Sequence, residues 1–225
     1  MKLKFLGTRG YIEPSAPYHS HYSGLLIDDK ILFDLGEKEF LEYEPEYIFI
    51  THLHPDHAFF VEEENISIDV PLYGPEENEK ANITIISDTV TINSYEITPF
   101  PTIHSKLVKS VAYLIEKKKR ILYSGDLIWI NKEYHNQLHN LDLVITDGSF
   151  IRKGGMIRRD DEGTIYGHKG IPGLVRLFSR FTEHVIFTHF GSWFYKDMQE
   201  GRKKMKKLSK KVKIEAAYDG MELVV

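Results

Sequence analysis

Residues 51–57 read THLHPDH and set His52, His54, Asp56 and His57 within one short stretch. Imidazole nitrogens and carboxylate oxygens at this density are metal-ligand chemistry. His52 and His54 follow the apolar run YIFI (47–50), where the chain is still extended. Alternate side chains of an extended chain share a face, so the two rings can converge on one ion. Pro55 ends the strand, and Asp56 and His57 turn toward a neighbouring position. The spacing suits two cations side by side. The chain has no cysteine, so the donors are nitrogen and oxygen alone. That set favours zinc, with manganese or iron as alternatives, over calcium or magnesium.

Three more candidates stand where an apolar run gives way to a loop: His104 after YEITPFPTI, Asp126 after RILYSG and His189 after HVIFT. A lone residue of this kind is ordinarily a cap or a loop residue. Beside the THLHPDH cluster, strand ends gathered at one rim would complete a metal site from distant parts of the chain.

The elements that must position these residues are mostly short strands. KLKFL (2–6) opens the chain, SGLLID (23–28) and KILFDLG (30–36) form a hairpin around Asp29, and YIFI carries the cluster. VPLYG (70–74), ITIIS (83–87), TVTIN (89–93) and YEITPFPTIHS (95–105) follow. SVAYLIE (110–116) and RILYSGD (120–126) pair across KKK, and LDLVITDGS (141–149) and HVIFTHFGS (184–192) share one plan. Residues 37–46 are acidic and helical or irregular. Two helices are expected. Residues 170–181 put Ile171, Leu174, Val175, Phe178 and Phe181 on one face, with Pro172 in the first turn. Residues 195–211 form a basic helix with Met198, Met205 and Leu208 on one face. The expected class is α/β, β-rich, with helices covering sheets.

The 225 residues suffice for one large core and are read as a single domain, 1–225. No apolar run approaches the length of a membrane span, and MKLKFLGTRG has no signal-peptide core. Together with the absence of cysteine this suits the cytoplasm. A net charge of −4 provides no general pull on nucleic acid. A phosphate ligand would need a local basic patch.

THLHPDH resembles the HxHxDH signature of the metallo-β-lactamase fold superfamily, and the similarity extends over nearly the whole chain. LFDLG resembles its first motif, with Asp34 as the aspartate, and His104, Asp126 and His189 match later motifs in order. The resemblance implies an αββα four-layer sandwich with a dinuclear site at one edge. One ion would take His52, His54 and His104, the other Asp56, His57 and His189, and Asp126 would bridge them. Asp34 would orient a ligand or its loop. The implied chemistry is hydrolysis by a metal-bound hydroxide, with Asp56 and Asp126 in the catalytic set.

Four local features bear on the substrate. His168, just before a helix and 21 residues ahead of His189, resembles a histidine of ribonuclease Z-like members that assists phosphodiester cleavage. It is expected to act as general acid or phosphate binder. The stretch 151–163 is read as a loop presenting Arg152, Arg158 and Arg159 to an anionic substrate. FLGTRG resembles the opening of phosphodiesterase-like members, and His19 and His21 after it are expected to line the pocket. Asp147, in TDGSF, is expected to support ligands from behind. The basic helix, with nine Lys or Arg between Lys196 and Lys213, suits a solvated face better than a surface that steers nucleic acid. Only 21 residues separate His104 from Asp126, too few for the tRNA-gripping arm of ribonuclease Z.

The expected activity is therefore cleavage of a phosphodiester: a cyclic phosphate, a nucleotide or RNA. A metal-dependent lactonase or thioesterase is the alternative, followed by an iron redox protein or a metal-stabilised scaffold. The diiron redox branch has glutamate where His54 stands. A homodimer is compatible with the sequence, and no membrane partner is expected.

Overall fold

The computed structural model describes residues 1–63 and 67–225. The first sheet holds β1 (Lys2–Gly7), β2 (Gly24–Ile27), β3 (Ile31–Phe33), β4 (Tyr47–Phe49), β5 (Leu72–Gly74) and β6 (Ile83–Ile85). The second is built from β7 (Val90–Ile92), β8 (Tyr95–Ile103), β9 (Val111–Glu116), β10 (Arg120–Tyr123), β11 (Trp129–Ile130), β12 (Leu143–Asp147), β15 (His184–Thr188) and β16 (Lys213–Ala216). Between β12 and β15 a separate hairpin pairs β13 (Met156–Arg159) with β14 (Ile165–His168). The C-terminal strand β17 (Glu222–Val224) returns to the first sheet beside β1.

The orders are β17-β1-β2-β3-β4-β5-β6 and β11-β8-β9-β10-β12-β15-β16, with β7 beside β8. β3 and β4 run parallel. β10, β12 and β15 run parallel, and β8 points the same way because it is twice antiparallel, through β9. The C-terminal ends of all these strands therefore meet along one rim.

The sheets pack face to face. Their shared core includes Phe5, Phe33, Phe49, Tyr113, Tyr123, Ile145 and Ile186. Phe49 stacks on Phe33 at 5.3 Å and on Tyr73 at 4.8 Å between ring centroids. Each fully buried ring contributes about 1.5–3 kcal/mol, and each ring pair about 0.5–1.5 kcal/mol more. The Tyr113 hydroxyl donates to the Ile50 carbonyl at 2.7 Å and pins one sheet to the other. β9 is buried along five of its six residues because the core covers both of its faces. Pro99 and Pro101 sit in the stretch of β8 that pairs only with β9, where a missing amide is tolerated.

The outer face of the second sheet is covered by α1 (Ile171–Phe178), α2 (Ser192–Lys196) and α3 (Met198–Lys206), through Leu174, Phe178, Phe194 and Met205. The opposite outer layer is thinner: 3-10 turns at Lys38–Tyr43 and Phe59–Val61 supply Phe40 and Phe60. The αββα order holds, with short turns in place of long helices on that side.

Two expected elements change. The single basic helix over 195–211 is two helices broken at Asp197, whose backbone is extended (φ −161°) and whose side chain accepts the Glu200 amide at 2.9 Å. An aspartate that caps so well starts a helix rather than continuing one. The loop over 151–163 contains β13, paired residue by residue with β14. No described helix is long and apolar enough to cross a membrane.

Candidate metal centre

The rim assembles the site because strands of both sheets deliver side chains at their ends. Asp34 follows β3, and His52 and His54 lie just beyond β4. His104 follows β8, Asp126 lies beyond β10, Asp147 ends β12 and His189 follows β15. Asp34 and His189 have left-handed backbones, φ 59° and 56°, an unusual state for residues with a Cβ. Each costs on the order of 1–3 kcal/mol, held by the surrounding structure. Gly125 turns the chain at φ +54°, and a Cβ there would lie 2.7 Å from Thr51 Oγ1. That turn delivers Asp126.

Three nitrogens and an oxygen form the first cluster. His54 Nδ1 lies 3.0 Å from His52 Nε2 and 3.3 Å from His104 Nε2. Asp126 Oδ2 lies 3.5 Å from His104 Nε2 and 3.8 Å from His52 Nε2. The outer nitrogens fix the tautomers. His104 Nδ1 donates to the Gly167 carbonyl at 2.9 Å. Thr51 Oγ1 donates to Asp34 and so accepts from His52 Nδ1 at 3.0 Å. Both Nε2 lone pairs therefore face His54, and a single proton on His54 could satisfy only one of them. A cation satisfies all three. Metal–nitrogen bonds of about 2.0–2.1 Å put tetrahedral donors roughly 3.3 Å apart, close to the spacing here.

Asp56, His57 and His189 form the second cluster. Asp56 Oδ2 accepts from His189 Nε2 at 2.8 Å and lies 3.9 Å from His57 Nε2. Asp34 Oδ2 accepts from His57 Nδ1 at 2.7 Å, which leaves Nε2 aimed inward. Asp126 Oδ1 lies 3.5 Å from His57 Nε2 and 3.1 Å from His189 Nδ1. One Asp126 oxygen thus faces each cluster. Among the described residues, Oδ1 is buried and makes no hydrogen bond, only these ion-pair contacts, and a cation would satisfy it.

Electrostatics agree. Burial pushes His52, His54 and His104 down, His104 to about 4, so these rings present neutral lone pairs. Burial also lowers His57, but Asp34, Asp126 and Asp56 outweigh it and hold the ring at about 10. His189 is raised for the same reason, chiefly by Asp126. Against burial, His189 and His57 hold Asp126 well below the usual carboxylate range. Protons on His57 and His189 balance the charge that a cation would balance.

Asp147, His168, Asp126 and His189 also converge. Asp147 Oδ2 accepts from His168 Nδ1 at 2.8 Å, and Oδ1 accepts from the Ser149 amide at 2.7 Å. Asp147 and His168 thus occupy each other, which leaves them less free to hold an ion than Asp126. All of this faces a cavity of about 280 Å³ with an apolar wall of Tyr11, Ile12, Phe150, Met156 and Trp193.

Residues 42–190, the span that holds all seven candidate ligands, match the family described as a beta-lactamase superfamily domain. The chain belongs to the beta-lactamase superfamily. Its fold is shared with the metallo-beta-lactamase fold protein YhfI from Bacillus subtilis, 18% identical, with a TM-score of 0.72 over 99% of this chain and 98% of that one. A diphosphatase of the PhnP family matches at 0.69 and 18% identity over 100% and 97%. The short form of human tRNase Z matches at 0.63 and 16% over 100% and 99%. No curated protein matches in sequence. In this superfamily member, the donor set fits a divalent cation.

Five expected substrate contacts do not reach the cavity. Arg152, Arg158 and Arg159 are exposed, and Arg159 turns back to the Gly163 carbonyl at 2.8 Å because the β13–β14 hairpin carries it away. His21 pairs with Glu37 at 3.0 Å on the surface. His19 is buried among Phe190, Phe194 and Tyr195. Thr8 donates to Asp219 at 2.7 Å and so accepts from His19 Nδ1 at 2.9 Å, while Arg202 donates to His19 Nε2 at 2.8 Å. Thr51, Tyr123 and Ser149, which brace the candidate ligands, carry no motif of their own. Only adjacency to THLH and TDGS could have flagged Thr51 and Ser149.

His19 therefore has a structural role with a pH signature. Burial, reinforced by Arg202, lowers its pKa from 6.5 to about 4. The unfolded chain binds this proton first as pH falls. The stability contributed by neutral His19 is full above pH 6.5, declines toward pH 4 and is flat below. In chelator, urea unfolding of the wild type should lose more stability between pH 6.5 and 4 than that of His19→Gln. Equal slopes would refute this role.

Proposed function

We propose that this chain is a metal-dependent hydrolase that binds two divalent cations, zinc by preference, and cleaves a phosphodiester. His168 carries the reading. Its ring lines the same cavity as His54, Asp56, Asp126 and His189, with Nδ1 tied to Asp147 and, among the described residues, no hydrogen-bond partner on Nε2. Burial lowers the His168 pKa, but Asp147 and Asp126 outweigh it and the group is raised. A protonated imidazole beside a metal pair suits donation to the alkoxide that leaves phosphorus.

When bound, the cations supply a nucleophile at neutral pH by acidifying water and neutralise charge developing on substrate oxygens. His52, His54 and His104 would hold one ion, Asp56, His57 and His189 the other, with an Asp126 oxygen on each. Asp34 keeps the His57 Nε2 lone pair directed inward. Asp147 fixes the His168 ring so that Nε2 is the donating atom.

Turnover of phosphodiesters by the zinc-, manganese- or iron-loaded protein tests the reading. His168→Gln should slow a diester with an alkyl leaving group by about 10²–10⁴-fold, and bis(p-nitrophenyl) phosphate far less, because nitrophenolate leaves without a proton. Equal loss on both would remove the general-acid role. The apolar wall also suits an acyl chain. Hydrolysis of lactones or thioesters with no phosphodiester turnover would move the assignment to a lactonase or thioesterase.

A further inference from the structure

A second cavity, about 540 Å³, lies between the β11 region and α1 and has no part in the chemistry above. Trp129, Lys153, Lys169, Gly173, Arg176 and Arg180 line it, and no carboxylate does. Among the described residues, none of the four cations has an ion-pair partner. This concentration of positive charge stands out in a chain whose net charge is −4. Like charges around one cleft repel, and an anion relieves that cost.

The cleft is shaped for its lysine. Gly173 lies inside α1, where glycine costs about 1 kcal/mol relative to alanine. A Cβ there would stand 3.0–3.2 Å from the Lys169 stem, which lies along the helix. The Lys169 ammonium reaches 5.3 Å from the Trp129 ring centroid. Lys169 also follows His168 directly, so one strand end sends adjacent side chains to the metal cavity and to the cleft.

We propose that this cleft is a second phosphate-binding site, taking the flanking backbone of a single-stranded oligonucleotide whose scissile diester occupies the metal cavity. Four cations along one cleft can serve more than one phosphate, and Trp129 offers an aromatic wall against a base. The inference rests on the phosphodiesterase reading for the role of the strand. Its binding test does not.

The test measures fluorescence anisotropy of a labelled ten-nucleotide single strand across a salt series, alongside turnover of bis(p-nitrophenyl) phosphate. Arg176→Glu/Arg180→Glu should weaken binding at least tenfold and lower the log–log salt slope by about 1 per lost phosphate contact, with small-substrate turnover unchanged. Arg176→Gln/Arg180→Gln, a milder change, should move both readouts the same way by less. Unchanged affinity and slope in both variants overturn the proposal. So does a wild type that does not bind the strand at low salt, or a cleft that prefers inorganic pyrophosphate. Failure of the phosphodiesterase reading would appear separately, as absent turnover with anisotropy intact.

Discussion

Asp126→Asn is expected to abolish most metal binding and, with it, hydrolysis. Among the described residues Asp126 alone presents an oxygen to each cluster, and one of those oxygens makes no hydrogen bond. Losing an outer-sphere partner costs metal affinity about 10–100-fold, and losing a shared ligand should cost more. Two measurements check this. Metal content after dialysis should fall from the wild-type value. Thermal stability should separate metal binding from folding. At metal concentrations near a thousand times Kd, the wild type should gain about 4 kcal/mol over the chelated protein. For a chain of this size that is roughly 8–16 °C in Tm. The asparagine variant should lose most of this gain, and its chelated form should unfold below the wild-type temperature, because the ion pairs of Asp126 with His57 and His189 are lost. An undiminished metal-dependent gain would rule out the bridging role.

Asp34→Ala should be the most damaging single change to folding near the site. Asp34 is fully buried and accepts from the Thr51 amide at 2.7 Å, the Thr51 hydroxyl at 2.9 Å, His57 Nδ1 at 2.7 Å and the Tyr123 hydroxyl at 2.9 Å. Alanine would strand four buried donors from two sheets. Breaking a buried, charged network in this way costs about 3–5 kcal/mol. The loss should appear in urea unfolding with chelator present, which distinguishes it from loss of metal. A deficit confined to the metal-loaded protein would make Asp34 a ligand-orienting residue only.

The candidate metal cluster was legible in the chain because its grammar is local. Strand alternation and Pro55 divide THLHPDH into a pair for one position and a pair for the next. His104, Asp126 and His189 were legible as strand ends, since an apolar run that stops at a polar residue marks a rim. The positions that failed share one cause. His19 and His21 lie close to the motif in sequence, and Arg158 and Arg159 sit in a charged stretch, but sequence proximity does not decide side-chain direction. His19 points into an aromatic core, and a hairpin register carries Arg159 outward.

By itself the sequence determined the donor types, the absence of thiolate donors and the strand ends that carry the candidate ligands, because residue chemistry and two-residue periodicity are properties of short segments. Only the tertiary structure decided that one Asp126 oxygen serves each cluster, that Asp34 and Thr51 set the histidine tautomers, that Asp147 holds His168, and that Lys169 turns away from His168 into a cationic cleft. Each of these depends on distances between residues tens of positions apart, which sheet pairing and core packing set.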